Sequence, residues 1–190
     1  MKHNYLKHLF TALLLLCTTV ATAHDFEVDG IYYSILSEDD KTVEVTFKGD
    51  DYYSYSDEYT GRVVIPKSVA YNGTTYSITN IGNYAFSYCF GLTDIIIPNS
   101  VISIGESAFG DCSGLISIEI PNSVTNIGYS AFAYCAGLIS VVIGDGVTSI
   151  GEGMFYGCSG LENIEIPNSV TSVGESAFGD CSGLISIEIP

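Results

Sequence analysis

Asn99–Pro121 reads NSVISIGESAFGDCSGLISIEIP, and closely similar 23-residue strings follow it without a gap as Asn122–Gly144, Asp145–Pro167 and Asn168–Pro190. A looser copy, Tyr76–Pro98, comes before it. Phe86, Phe109, Phe132, Phe155 and Phe178 hold one position of this frame, and Cys89, Cys112, Cys135, Cys158 and Cys181 hold another. Leu92, Leu115, Leu138, Leu161 and Leu184 each follow three residues after a cysteine. A fixed period of this length marks a solenoid, in which each unit buries its apolar face only against its neighbours.

Within one unit, Leu115, Ile118 and Ile120 point inward while Ser117 and Glu119 point outward, because strand side chains alternate. Pro121 ends the strand, having no N–H to give to a ladder. Val124 and Ile127 fill inward positions on a short extended return, and Gly128 permits a sharp turn. Ala131, Phe132 and Cys135 then form an apolar stripe at i, i+1 and i+4, which predicts a short helical turn over Tyr129–Cys135. Stacked units would align the phenylalanines, thiols and leucines in columns. Burying each Phe or Leu contributes about 1.5–3 kcal/mol, so these columns supply most of the cohesion.

The frame I-G-x-x-A-F-x-x-C-x-x-L-x-x-I-x-I-P resembles the BspA-like (Treponema pallidum-type) leucine-rich repeat, over Tyr76–Pro190. The resemblance implies a repeat solenoid, a right-handed leucine-rich-repeat coil with parallel strands on its concave face. It also implies a role like that of bacterial and protozoan cell-surface proteins that attach to host proteins or other cells. Two departures are mild: Gly144 stands in place of the proline, and Gly153-Met154 in place of Ser-Ala before Phe155.

Ahead of the repeats, Met1–Ala23 reads as an export signal. Lys2 and Lys7 supply its basic region, Leu9–Val20 its apolar run, and Ala21-Thr22-Ala23 its cleavage site. Residues 24–75 lack the frame and read as a β-rich cap over the first open face of the stack. Ile31–Leu36 and Thr42–Phe47 predict a hairpin, and Asn72-Gly73 predicts a second one between Ser68–Tyr71 and Thr74–Ile78. Asp50–Asp57 reads as a solvated loop. Val63-Val64-Ile65-Pro66 echoes the strand-and-proline ending of the later units.

The formal charge is −16, and no Lys or Arg occurs after Lys67. A nucleic-acid surface needs a basic stripe to displace phosphate counterions, so nucleic acid is not an expected partner. Anionic lipid is disfavoured for the same reason, and no membrane insertion is expected once the signal is removed. With His3 and His8 in the signal, only His24 remains, so a Ser-His-Asp or Cys-His centre cannot be built in the body of the chain. Glu119, Glu165 and Glu188 recur at one repeat position, as a solvated strand face would give, which argues against a paired-acid glycosidase. The chain reads as non-enzymatic, with no cofactor. The repeat cysteines lack the paired spacing of a zinc site and read as buried free thiols.

The expected binding surface is the outward face of the stacked strands. One stripe is Asp94, Ser117, Ser140, Asn163 and Ser186; beside it run Ile96, Glu119, Val142, Glu165 and Glu188. A lesser candidate is the aromatic set Tyr84, Tyr88, Phe90, Tyr129 and Tyr134. The expected partner is an extracellular or host-surface protein. A glycan is the alternative, though the two stripes carry no aromatic platform, and a structural spacer within a longer surface protein is a third. The repeat boundary at Pro190, with no closing polar segment, leads us to expect self-association or continuation of the array.

Overall fold

The computed structural model describes residues 23–53 and 56–188. All of the export signal except Ala23 lies outside these residues. Fourteen β-strands and no helix occur among them, and no helix is long and apolar enough to cross a membrane.

The chain opens with β1 (Phe26–Val28), β2 (Ile31–Ser37) and β3 (Thr42–Thr46), paired antiparallel in that order. After β4 (Gly61–Val64) come β5 (Ser68–Tyr71) and β6 (Thr74–Ile81), a hairpin whose turn puts Asn72 at φ 47° and Gly73 at φ 80°. Both angles are those a type I′ turn demands, which explains the Asn-Gly pair. β6 pairs antiparallel with β5 but parallel with β3, and its last residues pair parallel with the first return strand. It is the strand through which an antiparallel sheet passes into the parallel array.

The repeats supply two strands per coil. One series is β7 (Leu92–Ile96), β9 (Ser117–Ile120), β11 (Ser140–Ile143) and β13 (Asn163–Glu165). The returns are β8 (Ser103–Ile104), β10 (Asn126–Ile127), β12 (Ser149–Ile150) and β14 (Ser172–Val173). β9, β11 and β13 pair parallel in strict register, Ser117 beside Ser140 beside Asn163. β4 pairs parallel with β7, so Gly61–Val64 extends the first series one coil toward the N-terminus. The Val-Val-Ile-Pro echo in the sequence marks this strand.

The side facing away from β7–β13 corrects one expectation. Tyr129–Cys135 and its equivalents are not helical; each is a run of tight turns. The amides of Ala133 and Cys135 close i to i−3 onto Ser130 and Phe132. Those of Ser130, Phe132 and Tyr134 instead cross to the next coil, onto the carbonyls of Glu152, Met154 and Tyr156. An α-helix would consume all of these donors internally. Dividing them between coils requires two left-handed residues per turn, and Ser130 (φ 51°) and Tyr134 (φ 60°) supply them, as Ser107 and Asp111 do one coil earlier. The stack is therefore hydrogen-bonded from coil to coil on this side as well as along its strands.

Inside, the five repeat phenylalanines form one column. Successive ring centroids are 5.0, 5.1, 5.4 and 5.6 Å apart, with planes within 11° of parallel. Such offset stacking contributes about 0.5–1.5 kcal/mol per pair beyond burial. The cysteines run beside it as free thiols. Cys112, Cys135, Cys158 and Cys181 each place Sγ 3.0–3.1 Å from the carbonyl of the phenylalanine in the previous coil, donating a weak hydrogen bond. A serine would hydrogen-bond there too, but it would bring a more polar atom into an apolar column. Coil spacing also fixes the glycines: a β-carbon on Gly105 would stand 2.5 Å from the amide nitrogen of Asn83.

Candidate functional site

The surface of β4, β7, β9, β11 and β13 is built by alternation. Ile118, Ile120, Val141 and Ile143 face the core, which leaves Ser117, Glu119, Ser140 and Val142 on the opposite face. Pairing register sets the columns: Ser117–Ser140–Asn163 in one and Glu119–Val142–Glu165 in the next. Asp94 and Ile96 on β7 occupy the corresponding positions one coil earlier, and β4 adds Arg62 opposite Asp94 and Val64 opposite Ile96. Eight of the expected residues, Asp94 through Glu165, thus stand on one face. Ser186 and Glu188 are exposed but lie outside the paired strands.

Two features escape the sequence pattern. Ile116 and Ile139 are 52% and 43% exposed, and the Ile139 amide donates to the Ile116 carbonyl, so they form a third, apolar column beside the two polar ones. Strict alternation counted back from Ile118 and Val141 hides them, since it would turn both inward. Each unit's strand starts only at Ser117 or Ser140, and the preceding turn rotates the isoleucine outward. The second feature is the near end of the face. Arg62 Nε lies 3.1 Å from Asp94 Oδ2 in an exposed ion pair. A pair this wet contributes little to stability, about 0–1 kcal/mol.

A groove of about 1050 Å³ runs along the C-terminal ends of β4, β7, β9 and β11, where each strand meets its Pro-Asn, Pro-Lys or Gly-Asp step. Arg62 and Lys67 line its first part; Glu119 and Asp145 line its far part. Charge therefore changes sign along the stack axis, from a cationic first coil to carboxylates beyond it. No cluster of metal-ligating side chains occurs among the described residues.

The aromatic set divides in two. Tyr84, Tyr88 and Phe90 join Tyr52 and Tyr53 of the 50–57 loop, with Tyr52 stacked on Tyr84 at 3.9 Å and Tyr53 5.5 Å from Tyr88. Tyr129 and Tyr134 are exposed on later coils, and Tyr134 meets Tyr156 edge-on at 5.5 Å.

Residues 79–190 match the model of the BspA type leucine rich repeat region, in six copies. The chain is 25% identical to a leucine rich cell surface protein from Faecalibacterium prausnitzii, with a TM-score of 0.56 over 84% of this chain and 52% of that one. A leucine-rich repeat protein from Eubacterium ventriosum is 22% identical, with a TM-score of 0.59 over 83% of this chain and 46% of that one. The T. pallidum leucine rich repeat protein is 22% identical, with a TM-score of 0.52 over 84% of this chain and 90% of that one. This chain spans about half the length of the first two. Comparison with curated proteins gives no match.

Proposed function

The chain belongs to the BspA-type leucine-rich repeat family, and from that premise we propose a non-enzymatic, secreted or cell-surface protein that binds other proteins through its strand face. The supporting observation is the register of that face. Parallel pairing holds Ile116/Ile139, Ser117/Ser140/Asn163 and Glu119/Val142/Glu165 in adjacent columns, apolar beside hydroxyl and amide beside acid. Repeat solenoids use their curvature to make such a strand face a concave platform, and we read this face as the concave side.

Its composition suits a protein more than a sugar. The columns carry isoleucine and valine for burial and carboxylates for charge complementarity, without aromatic rings on which a pyranose could stack. Surface location is supported by the Faecalibacterium relative, which is itself described as a cell surface protein. The partner we propose is an extracellular or neighbouring-cell protein with a cationic contact region, since Arg62 and Lys67 are the cations that line the groove among the described residues.

The test is a binding screen of the chain, after export-signal removal, on immobilised extracellular matrix proteins and on a glycan array. A protein target should be found. Its affinity should fall about tenfold or more when Glu119, Glu165 and Glu188 are replaced by Lys, with the circular dichroism spectrum unchanged. Signal on glycans alone would overturn the reading, as would protein binding that the triple substitution leaves intact.

A further inference from the structure

We propose that the aromatic edge where the first repeat meets Tyr52 and Tyr53 is a second docking site, one that receives arginine side chains of a partner protein. Five rings form a continuous path there. Tyr84 stacks on Tyr52 at 3.9 Å and 11°, Tyr52 meets Tyr53 at 4.0 Å, Tyr53 meets Tyr88 at 5.5 Å and Tyr88 meets Phe90 at 6.1 Å. Tyr53, at the middle of the path, is 63% exposed and Phe90, at one end, 45%, so ring surface stands open to solvent there.

Carboxylates accompany the rings. Tyr84 donates its hydroxyl to Glu106 Oε1 at 2.7 Å, Asp51 Oδ1 accepts from the Tyr53 amide at 3.0 Å, and Asp57 Oδ1 accepts from the Gly91 amide at 2.7 Å. Asp111, one coil on from Tyr88, lies close enough that its charge pushes the Tyr88 phenol up, after burial as the larger cause. An aromatic surface among carboxylates attracts a cation twice over, through ring quadrupoles and through charge. The Lys48 ammonium lies over Tyr32 at 6.0 Å, and Arg62 pairs with Asp94 on the strand face.

The geometry favours arginine over lysine. A planar guanidinium stacks on a tyrosine while its edge reaches a carboxylate with two N–H groups, whereas a compact, strongly hydrated ammonium gives up more water to do less. The site stands on a different side of the coil from the strand columns, so it can fail while the strand-face reading holds.

The test uses nona-arginine and nona-lysine peptides at about 150 mM salt, where diffuse attraction to the acidic chain is largely screened. The chain contains no Trp, so emission comes from its 14 tyrosines, four of them in the path; the leucine variant serves as the reference for quenching, and calorimetry gives the affinity. Nona-arginine should bind at least about tenfold tighter than nona-lysine and quench emission. Tyr53→Leu with Phe90→Leu, which keeps apolar bulk but removes two π faces, should abolish that preference. Glu119→Lys with Glu165→Lys should preserve it. Equal binding of the two peptides would overturn the proposal. So would a preference that survives the leucine substitutions or is lost with the strand-face ones, or quenching by cellohexaose in place of either peptide.

Discussion

Tyr59 lays its ring against Phe86, centroids 4.6 Å apart and tilted by 50°, and so closes the near end of the phenylalanine column with a residue from outside the repeats. Its hydroxyl donates to the Thr46 carbonyl at 2.8 Å and accepts from the Tyr32 amide at 3.1 Å. One side chain thus ties the antiparallel sheet to the stack. Tyr59→Phe keeps the ring but strands two backbone groups, and should cost about 1–3 kcal/mol in urea denaturation. Tyr59→Ala removes the ring as well and should cost about 3–5 kcal/mol. A Tyr59→Phe variant as stable as the parent would show that the ring alone makes the junction.

Two glycines at the same frame position should answer oppositely to alanine. A methyl on Gly105 would stand 2.5 Å from the Asn83 amide nitrogen, and one on Gly174 2.6 Å from that of Glu152. Around Gly151 the nearest atom is Met154 Cε, 3.8 Å away. Gly105→Ala should destabilise by about 1–3 kcal/mol, because packed backbone has to move. Gly151→Ala should stabilise by about 0.4–1 kcal/mol through the less flexible unfolded chain. Thermal melts of the two variants, compared with the parent, check both signs.

Stability should be greatest on the mildly acidic side of neutral and fall at both steps upward in pH. Burial pushes the Glu44, Glu58 and Asp111 carboxyls up. For a raised acid the folded state holds its proton longer than the unfolded one. The contribution is complete below the unfolded pKa and is lost as pH rises through the folded one, so urea midpoints should decrease as pH rises past the ordinary carboxylate range. The thiols repeat this at alkaline pH. Burial pushes Cys89 up to about 12 and Cys181 up to about 11, from an ordinary 9.0, and Tyr33 reaches about 12 from 10.0 through burial and then the charge of Asp29. A second decline should begin near pH 9 and continue to about pH 12. Cys89→Ala should flatten its first part. A midpoint that rises between pH 9 and 11 would contradict the assignment.

Ser107 holds φ 46°, a conformation costing an L-residue about 1–2 kcal/mol, where glycine is free to sit. The equivalent position two coils on is Gly153, at φ 59°. Ser107→Gly should stabilise by up to about 1 kcal/mol, since strain relieved outweighs the added freedom of the unfolded chain. A clear loss in the chemical denaturation midpoint would instead assign Ser107 a side-chain role.

How far the sequence is legible depends on the range of the interaction. Columns of Phe, Cys and Leu follow from their 23-residue step, and the inward and outward residues of β9 and β11 follow from alternation. The turns do not follow. Ala131, Phe132 and Cys135 make a helix-like stripe, and what forbids the helix is amides shared with a coil 22 residues further on. Tyr59 falls 27 residues before Phe86, off the repeat step, so nothing periodic marks it as the end of the column. Ile116 and Ile139 face outward only because their turn precedes the strand.

The shared amides of the turn side have a mechanical corollary. Because coils are bonded along the strands, along the returns and again through Ser130, Phe132 and Tyr134 and their equivalents, tension applied along the stack has to strip whole coils in succession. Each release frees one 23-residue unit, or about 76–83 Å of extended chain. Stretched between two anchors, such a chain would yield in even, sawtooth steps and behave as a graded shock absorber.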